Sequence, residues 1–136
     1  MASICKEILI DAHAEDVWAA VRDVGAVHQR LAPGFVIDVR LEGDARIVTF
    51  ANGAAVRELI VDIDDVRRRF VYAAVGGRAK HHNASMQVFA ERDDRSRLVW
   101  ITDLLPNEVA GPIGALVEQG ASVIKQTLEG HERPNR

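Results

Sequence analysis

The chain has 136 residues, a formal net charge of −3 and intermingled acidic and basic side chains, enough for one real core but with no field to gather phosphates, so nucleic acid is not an expected partner. Its lone cysteine, Cys5, excludes an internal disulfide and any cysteine-based metal cluster, which suits a reducing cytosol. Nothing approaches the apolar length of a membrane helix, and Met1 to Lys6 lacks the apolar core of a signal peptide; a single soluble cytoplasmic domain over 1–136, bacterial in style by its Ala, Val and Arg content, with no membrane insertion and no cofactor, is expected.

In chain order, Ile4, Lys6, Ile8 and Ile10 alternate with Cys5, Glu7 and Leu9, which predicts a strand with one mostly apolar face ending at Asp11. From Ala14 to Asp23 the period changes: Val17, Trp18, Val21 and Val24 fall at helical spacing, with Glu15 and Asp16 at the positive end of the dipole and Gly25 as the stop. A second short helical piece, Ala26 to Leu31, runs into the turn signal Pro33-Gly34. Six short strands follow, Phe35 to Leu41, Arg46 to Phe50, Val56 to Ile63, Phe70 to Val75, Ser85 to Glu91 and Leu98 to Leu104. Glu42-Gly43-Asp44, Asn52-Gly53, Asp64-Asp65 and Arg92-Asp93-Asp94-Arg95 are the turns between them, and connections this short imply antiparallel neighbours. Arg67, Arg68 and Arg69 are offset by Asp62, Asp64 and Asp65 and read as a solvated turn.

The last segment, Asn107 to Glu129, carries Val109, Ile113, Leu116, Val117, Ile124 and Leu128 along one stripe and predicts a long amphipathic helix. Asn107 is placed to cap it, Pro112 lies in its opening turns, and Gly130 and Pro134 end it. Such a stripe needs a partner surface, and the curled antiparallel sheet is the available one. The class is therefore α+β, with about seven strands wrapped on the terminal helix and two short helices after the first strand. Gly111, Gly114 and Gly120 each cost on the order of 1 kcal/mol inside a helix, so either the sheet comes very close there or space is left for a ligand.

This order of elements resembles the helix-grip domains of the START-like, or SRPBCC, superfamily over nearly the whole chain. The resemblance is carried by Ile8 to Val21 (ILIDAHAEDVWAAV), by Glu58 to Asp65 (ELIVDIDD), and by Tyr72 to Gly77 with Asn83-Ala84-Ser85. The small polyketide cyclase/dehydratase-like proteins are the group most similar in length and pattern. The resemblance implies an apolar cavity between sheet and helix for a hydrophobic molecule, and, in a minority of members, catalysis. Ala51 to Ala55 and Gly76 to His81 look like the two loops that gate the cavity in the plant hormone receptors of the superfamily. The first loop has alanine where those receptors have proline, the histidine of the second falls on Ala79, and their cavity lysine has no counterpart, so a receptor function is not carried over.

His13, His28 and His131 read as surface residues, and His81 and His82, being adjacent, point to opposite faces of a strand, so at most one of them enters a cavity. No metal site is expected, because no acidic or cysteine ligands are interleaved with them. On the strand Val56 to Ile63 the apolar alternation favours Arg57 as the inward residue, whereas the resemblance favours Glu58; a bulge near Asn52-Gly53 would reconcile the two. Tyr72 and Trp100 combine a large apolar body with a polar handle. The expected pocket comprises Glu58, Tyr72, Ala84, Met86, Trp100, Val117, Gly120 and Ile124, and the candidates for proton transfer are Arg57, Glu58, Tyr72 and His81.

Three readings stay open: a binding module for a small hydrophobic or amphipathic ligand, a cyclase/dehydratase-like enzyme using the same cavity, and a co-chaperone-like interaction module. A homodimer through exposed edge strands is the expected assembly.

Overall fold

The computed structural model describes residues 2–76, 79–92 and 94–131. Strand β1 (Ala2–Ile10) leads into helix α1 (Ala14–Arg22) and a π-helical turn, Val27–Leu31. Strands β2 (Val36–Glu42), β3 (Ala45–Phe50), β4 (Ala55–Asp64), β5 (Arg69–Val75), β6 (His81–Arg92) and β7 (Arg95–Leu105) follow, then a 3₁₀ turn, Asn107–Val109, and helix α2 (Ala110–His131). The seven strands form one antiparallel sheet in the order β1-β7-β6-β5-β4-β3-β2, with β1 and β2 at its edges.

The two periods of the sequence explain how the layers meet. On β1, Ile8 and Ile10 point to the core while Leu9 lies on the outer face. On α2, Val117, Ala121, Ile124 and Leu128 form the buried stripe that lies over the sheet, closed at the other end by Val17, Trp18 and Val21 of α1. Trp18 also ties α1 to the β4–β5 turn, donating from Nε1 to Asp65 Oδ1 at 2.9 Å, and Arg22 grips the same carboxylate at 2.7 Å. Among the described residues no helix is long and apolar enough to cross a membrane.

Several boundaries differ from the sequence-based expectation. Asn107 does not cap the long helix; it opens the 3₁₀ turn, and α2 proper starts at Ala110 with Pro112 in its first turn, where the N–H that proline lacks has no intrahelical acceptor anyway. Gly130 is helical, and Pro134 lies outside the described residues, as do Asp93, Gly77 and Arg78 of the expected turns. Strand β6 begins at His81 rather than Ser85, because pairing of His81 with Leu105 and His82 with Leu104 imposes extended backbone on residues of low strand propensity.

Leu98 is fully buried at the centre of the core, whereas Val66 at the β4–β5 turn is 94% exposed. Leu98→Ala is expected to lower the unfolding free energy by about 2–5 kcal/mol and Val66→Ala by less than about 0.5 kcal/mol. Guanidinium titrations of the two variants give the comparison; equal effects would contradict the core described here.

Candidate functional site

The site begins with a turn. Asn52 and Gly53, the latter at φ +91°, close the hairpin of β3 and β4, and the register this sets places Arg46 directly opposite Glu58. Both side chains point under α2 and both are buried, at 5% and 7% exposure. Arg46 Nε donates to Glu58 Oε1 at 2.9 Å and Nη2 lies 2.8 Å from the same oxygen, while Nη1 donates to the carbonyl of Val24 at 3.0 Å. The guanidinium carbon also lies 5.1 Å from the ring centre of Phe70 and 5.3 Å from that of Tyr72, which stack on one another. Among the described residues Glu58 Oε2 receives no hydrogen bond.

Burial pushes the Glu58 carboxyl above its ordinary value, and the Arg46 charge pulls against that shift without cancelling it. The Tyr72 phenol is driven up strongly, first by burial and then by the Glu58 charge. Its oxygen accepts from Trp100 Nε1 at 3.2 Å, and its own proton goes to no described acceptor.

These groups line a chamber of about 60 Å³ between sheet and α2, closed by Phe35, Phe50, Met86, Gly120 and Ile124 among others. Outside it lies an open groove of about 550 Å³, walled by Pro33-Gly34-Phe35, by Phe50-Ala51-Asn52, and by Leu116, Gln119, Ser122 and Val123 of α2. Phe35 and Phe50, packed edge to face with ring centres 5.4 Å apart, belong to both and form the partition between them.

The structure also decides between the two readings of the helix glycines. A Cβ on Gly120 would lie 3.0 Å from Phe35 Cε2 and 3.3 Å from the Trp100 ring, so the missing side chain is a seat for these two rings rather than room kept for a ligand. Gly111 faces open space and Gly114 only meets Ile4 at an ordinary 3.7 Å.

Of the residues expected at the pocket, Glu58, Tyr72, Met86, Trp100, Gly120 and Ile124 border the chamber, while Ala84 and Val117 are buried in the surrounding core without reaching it. Arg57 lies outside. Its side chain is half exposed, 3.9 Å from Glu42, because the irregularity in β4 falls between Ile60 and Asp62 and not near Asn52-Gly53. That bulge leaves Val61 on the surface and lets Glu58, Ile60 and Ile63 share the inner side, so the simple alternation that favoured Arg57 misleads. His81 is also outside, exposed beside Ala2, Ser3 and Asp103; His82 has the inner parity, and burial lowers its pKa, but it does not border the chamber. His28 is only partly exposed, with Nδ1 buried and unpartnered among the described residues, and is not a plain surface residue.

Arg46, Phe35 and Phe50 escaped the sequence reading. For Arg46 a signal existed: a hairpin centred on Asn52 pairs residues whose numbers sum to twice that position, which puts Arg46 across from Glu58. Neither phenylalanine carries such a signal, since their contact joins a loop to the end of a strand.

A family model described as polyketide cyclase / dehydrase and lipid transport matches residues 1–132. No curated protein matches the chain by sequence. Among solved structures, the protein XoxI from Bacillus cereus is similar at a TM-score of 0.86, with 17% identity over 98% of this chain and 99% of that one. The Zhui aromatase/cyclase from a Streptomyces species is similar at 0.71, with 19% identity over 99% of this chain and 96% of that one. A norcoclaurine synthase point mutant from Thalictrum flavum, in complex with a transition-state analogue, is similar at 0.66, with 20% identity over 96% of each chain. At these identities the likeness is one of fold.

Two expectations follow from the geometry. Arg46→Met leaves Glu58 buried without its partner and should cost about 3–5 kcal/mol, whereas adding Glu58→Leu should recover most of the loss. In the single variant the folded chain holds the Glu58 proton to a pH well above that at which the unfolded chain releases it, so stability should fall as pH rises through that interval. Urea titrations at pH 5 and pH 8 read this directly, and a greater loss at pH 5 would contradict it. Gly120→Leu should cost about 1–3 kcal/mol by overpacking against Phe35 and Trp100; an unchanged or raised melting temperature would show that the rings are not seated there.

Proposed function

The chain belongs to the polyketide cyclase / dehydrase and lipid transport family, and from that premise we propose that it binds a small, uncharged, amphipathic molecule whose apolar body lies in the groove and whose polar end enters the chamber. The observation that carries this is the pairing of an apolar chamber with two unused polar positions, Glu58 Oε2 as acceptor and the Tyr72 hydroxyl as donor, at its inner end. A ligand hydroxyl satisfies both. A charged group does not fit as well, because Arg46 and Glu58 already neutralise one another and a further buried charge would be unpaired.

Volume sets the mode of binding. About 60 Å³ holds a few atoms, far below the roughly 300–1,000 Å³ of ordinary ligand pockets, so the chamber serves only after Phe35 turns out into the groove and joins the two spaces. Phe35 follows Gly34 (φ +89°) in the loop before β2, and its ring is held mainly by Phe50 and by the seat at Gly120. An apolar body then replaces the contacts the ring gives up.

A second reading rests on Glu58. A carboxyl raised by burial beside a guanidinium can transfer a proton within a bound polyketide-like substrate, with Arg46 stabilising developing negative charge on an oxygen. The expected histidine partner is missing from the chamber wall, and Tyr72 holds its proton too tightly to act as a ready acid, so binding is the better supported reading.

Titration with the neutral fluorophore N-phenyl-naphthylamine tests the proposal. Saturable, blue-shifted fluorescence is expected, stronger by about tenfold in affinity for Phe35→Ala, which removes the partition, an effect on the order of 1.4 kcal/mol. No saturable signal from either protein would sink the ligand-binding reading.

A further inference from the structure

The two edges of the sheet, β1 and β2, are each tied down at one end by a bond from outside the ladder. At β1 the helix covers the end of the strand: Lys125 Nζ donates to the carbonyl of Leu9, and Glu129 accepts from the N–H of Asp11. At β2 only Val36 has such a bond, its N–H donating to the Ala32 carbonyl, and among the described residues Ile37 to Leu41 carry no backbone bond beyond the ladder to β3. The same stretch exposes Ile37 at 54% and Leu41 at 59%, with Val39 between them. An irregularity separates Val36 from Asp38, and from Asp38 onward the pairing with β3 is regular.

We infer that β2 is an interface for a second copy of this chain, which pairs antiparallel with it about a two-fold axis through Val39. Symmetry and the pleat fix the possible registers. An axis perpendicular to the sheet keeps each residue on its own face, and residues opposed across a ladder share a face, so the axis must pass between a residue and its own copy. Through Asp38 or Arg40 it would oppose identical charges, and the Arg40 axis would also set Asp38 against Glu42. Through Leu41 it would match Arg40 with Glu42 but oppose only the last three strand residues, because β2 ends at Glu42.

Through Val39 the central pairs are favourable: Asp38 meets Arg40 twice, Ile37, beside the irregularity, meets Leu41 twice, and Val39 meets itself, while Val36 against Glu42 at the two ends gains nothing. Arg40 now bonds Glu42 on its own strand at 3.0 Å, and both side chains are well exposed, so exchanging that partner for the second copy's Asp38 sacrifices little. Pairing joins two seven-stranded sheets and covers the β2 edge of each.

Charge reversal tests the register. By sedimentation or light scattering the chain should approach twice its 15.0 kDa mass at high concentration. Asp38→Arg and Arg40→Asp should each return it to a monomer with an unchanged circular dichroism spectrum, and an equimolar mixture of the two should recover the dimer, since every opposed pair is then again of opposite sign. In a Cys5→Ser background, Val39→Cys should form a disulfide-linked dimer on mild oxidation and Leu41→Cys should not. A wild-type chain that stays monomeric to millimolar concentration, a dimer indifferent to both reversals, or cross-linking through Leu41→Cys in place of Val39→Cys would each overturn the inference.

Discussion

The interior of this protein is organised around an ion pair that must be buried. Removing a guanidinium and a carboxylate from water costs several kcal/mol each, so the fold holds them only because β3 and β4 oppose them in register, Val24 takes another N–H, and Phe70 and Tyr72 present ring faces to the remaining charge. The pair therefore constrains its surroundings more than it stabilises them. It fixes the hairpin, the approach of the segment after α1, and the aromatic stack of β5, and it leaves one carboxylate oxygen unused on the chamber wall.

The opposite wall is set by an absence. Gly120 lets the Trp100 indole and the Phe35 ring come within van der Waals distance of the α2 backbone, which no residue with a side chain would allow without movement of those rings. Trp100 is anchored through Tyr72, but Phe35 sits on a loop and borders solvent on its other side. Of the groups that close the chamber it is the one whose displacement disturbs least of the sheet, so a cavity that is nearly filled at rest is compatible with ligand uptake. The same packing explains why the helix tolerates a glycine in its interior: the propensity lost there is offset by two ring contacts.

The family fold leaves the chemistry open. A buried carboxyl beside an arginine suits both the recognition of a hydroxyl and the movement of a proton, and the two differ in whether a second acid or base stands within reach of the substrate. In this chain His81 and His82 lie elsewhere, one on the outer parity of β6 and the other at the end of its inner face, because the pleat sends adjacent residues to opposite sides.

The sequence by itself determined the order of the elements, the antiparallel class and the helix-grip arrangement, since period-2 and period-3.6 patterns and turn dipeptides are local and survive without knowledge of the fold. It also reached Tyr72, Met86 and Trp100, because inward parity on β5, β6 and β7 is unbroken around those positions, and Gly120 and Ile124, because they share one side of the terminal helix with Val117. Only the tertiary structure decided between Arg57 and Glu58, because a single extra residue at Val61 inverts the parity of β4 and no local signal marks it. Likewise, whether Gly120 leaves a void or seats a ring depends on Phe35, which is distant in sequence and arrives through a loop. Such contacts are set by how layers pack and not by the propensities of the residues that make them, and that is why the architecture was legible in the chain while the partition of its cavity was not.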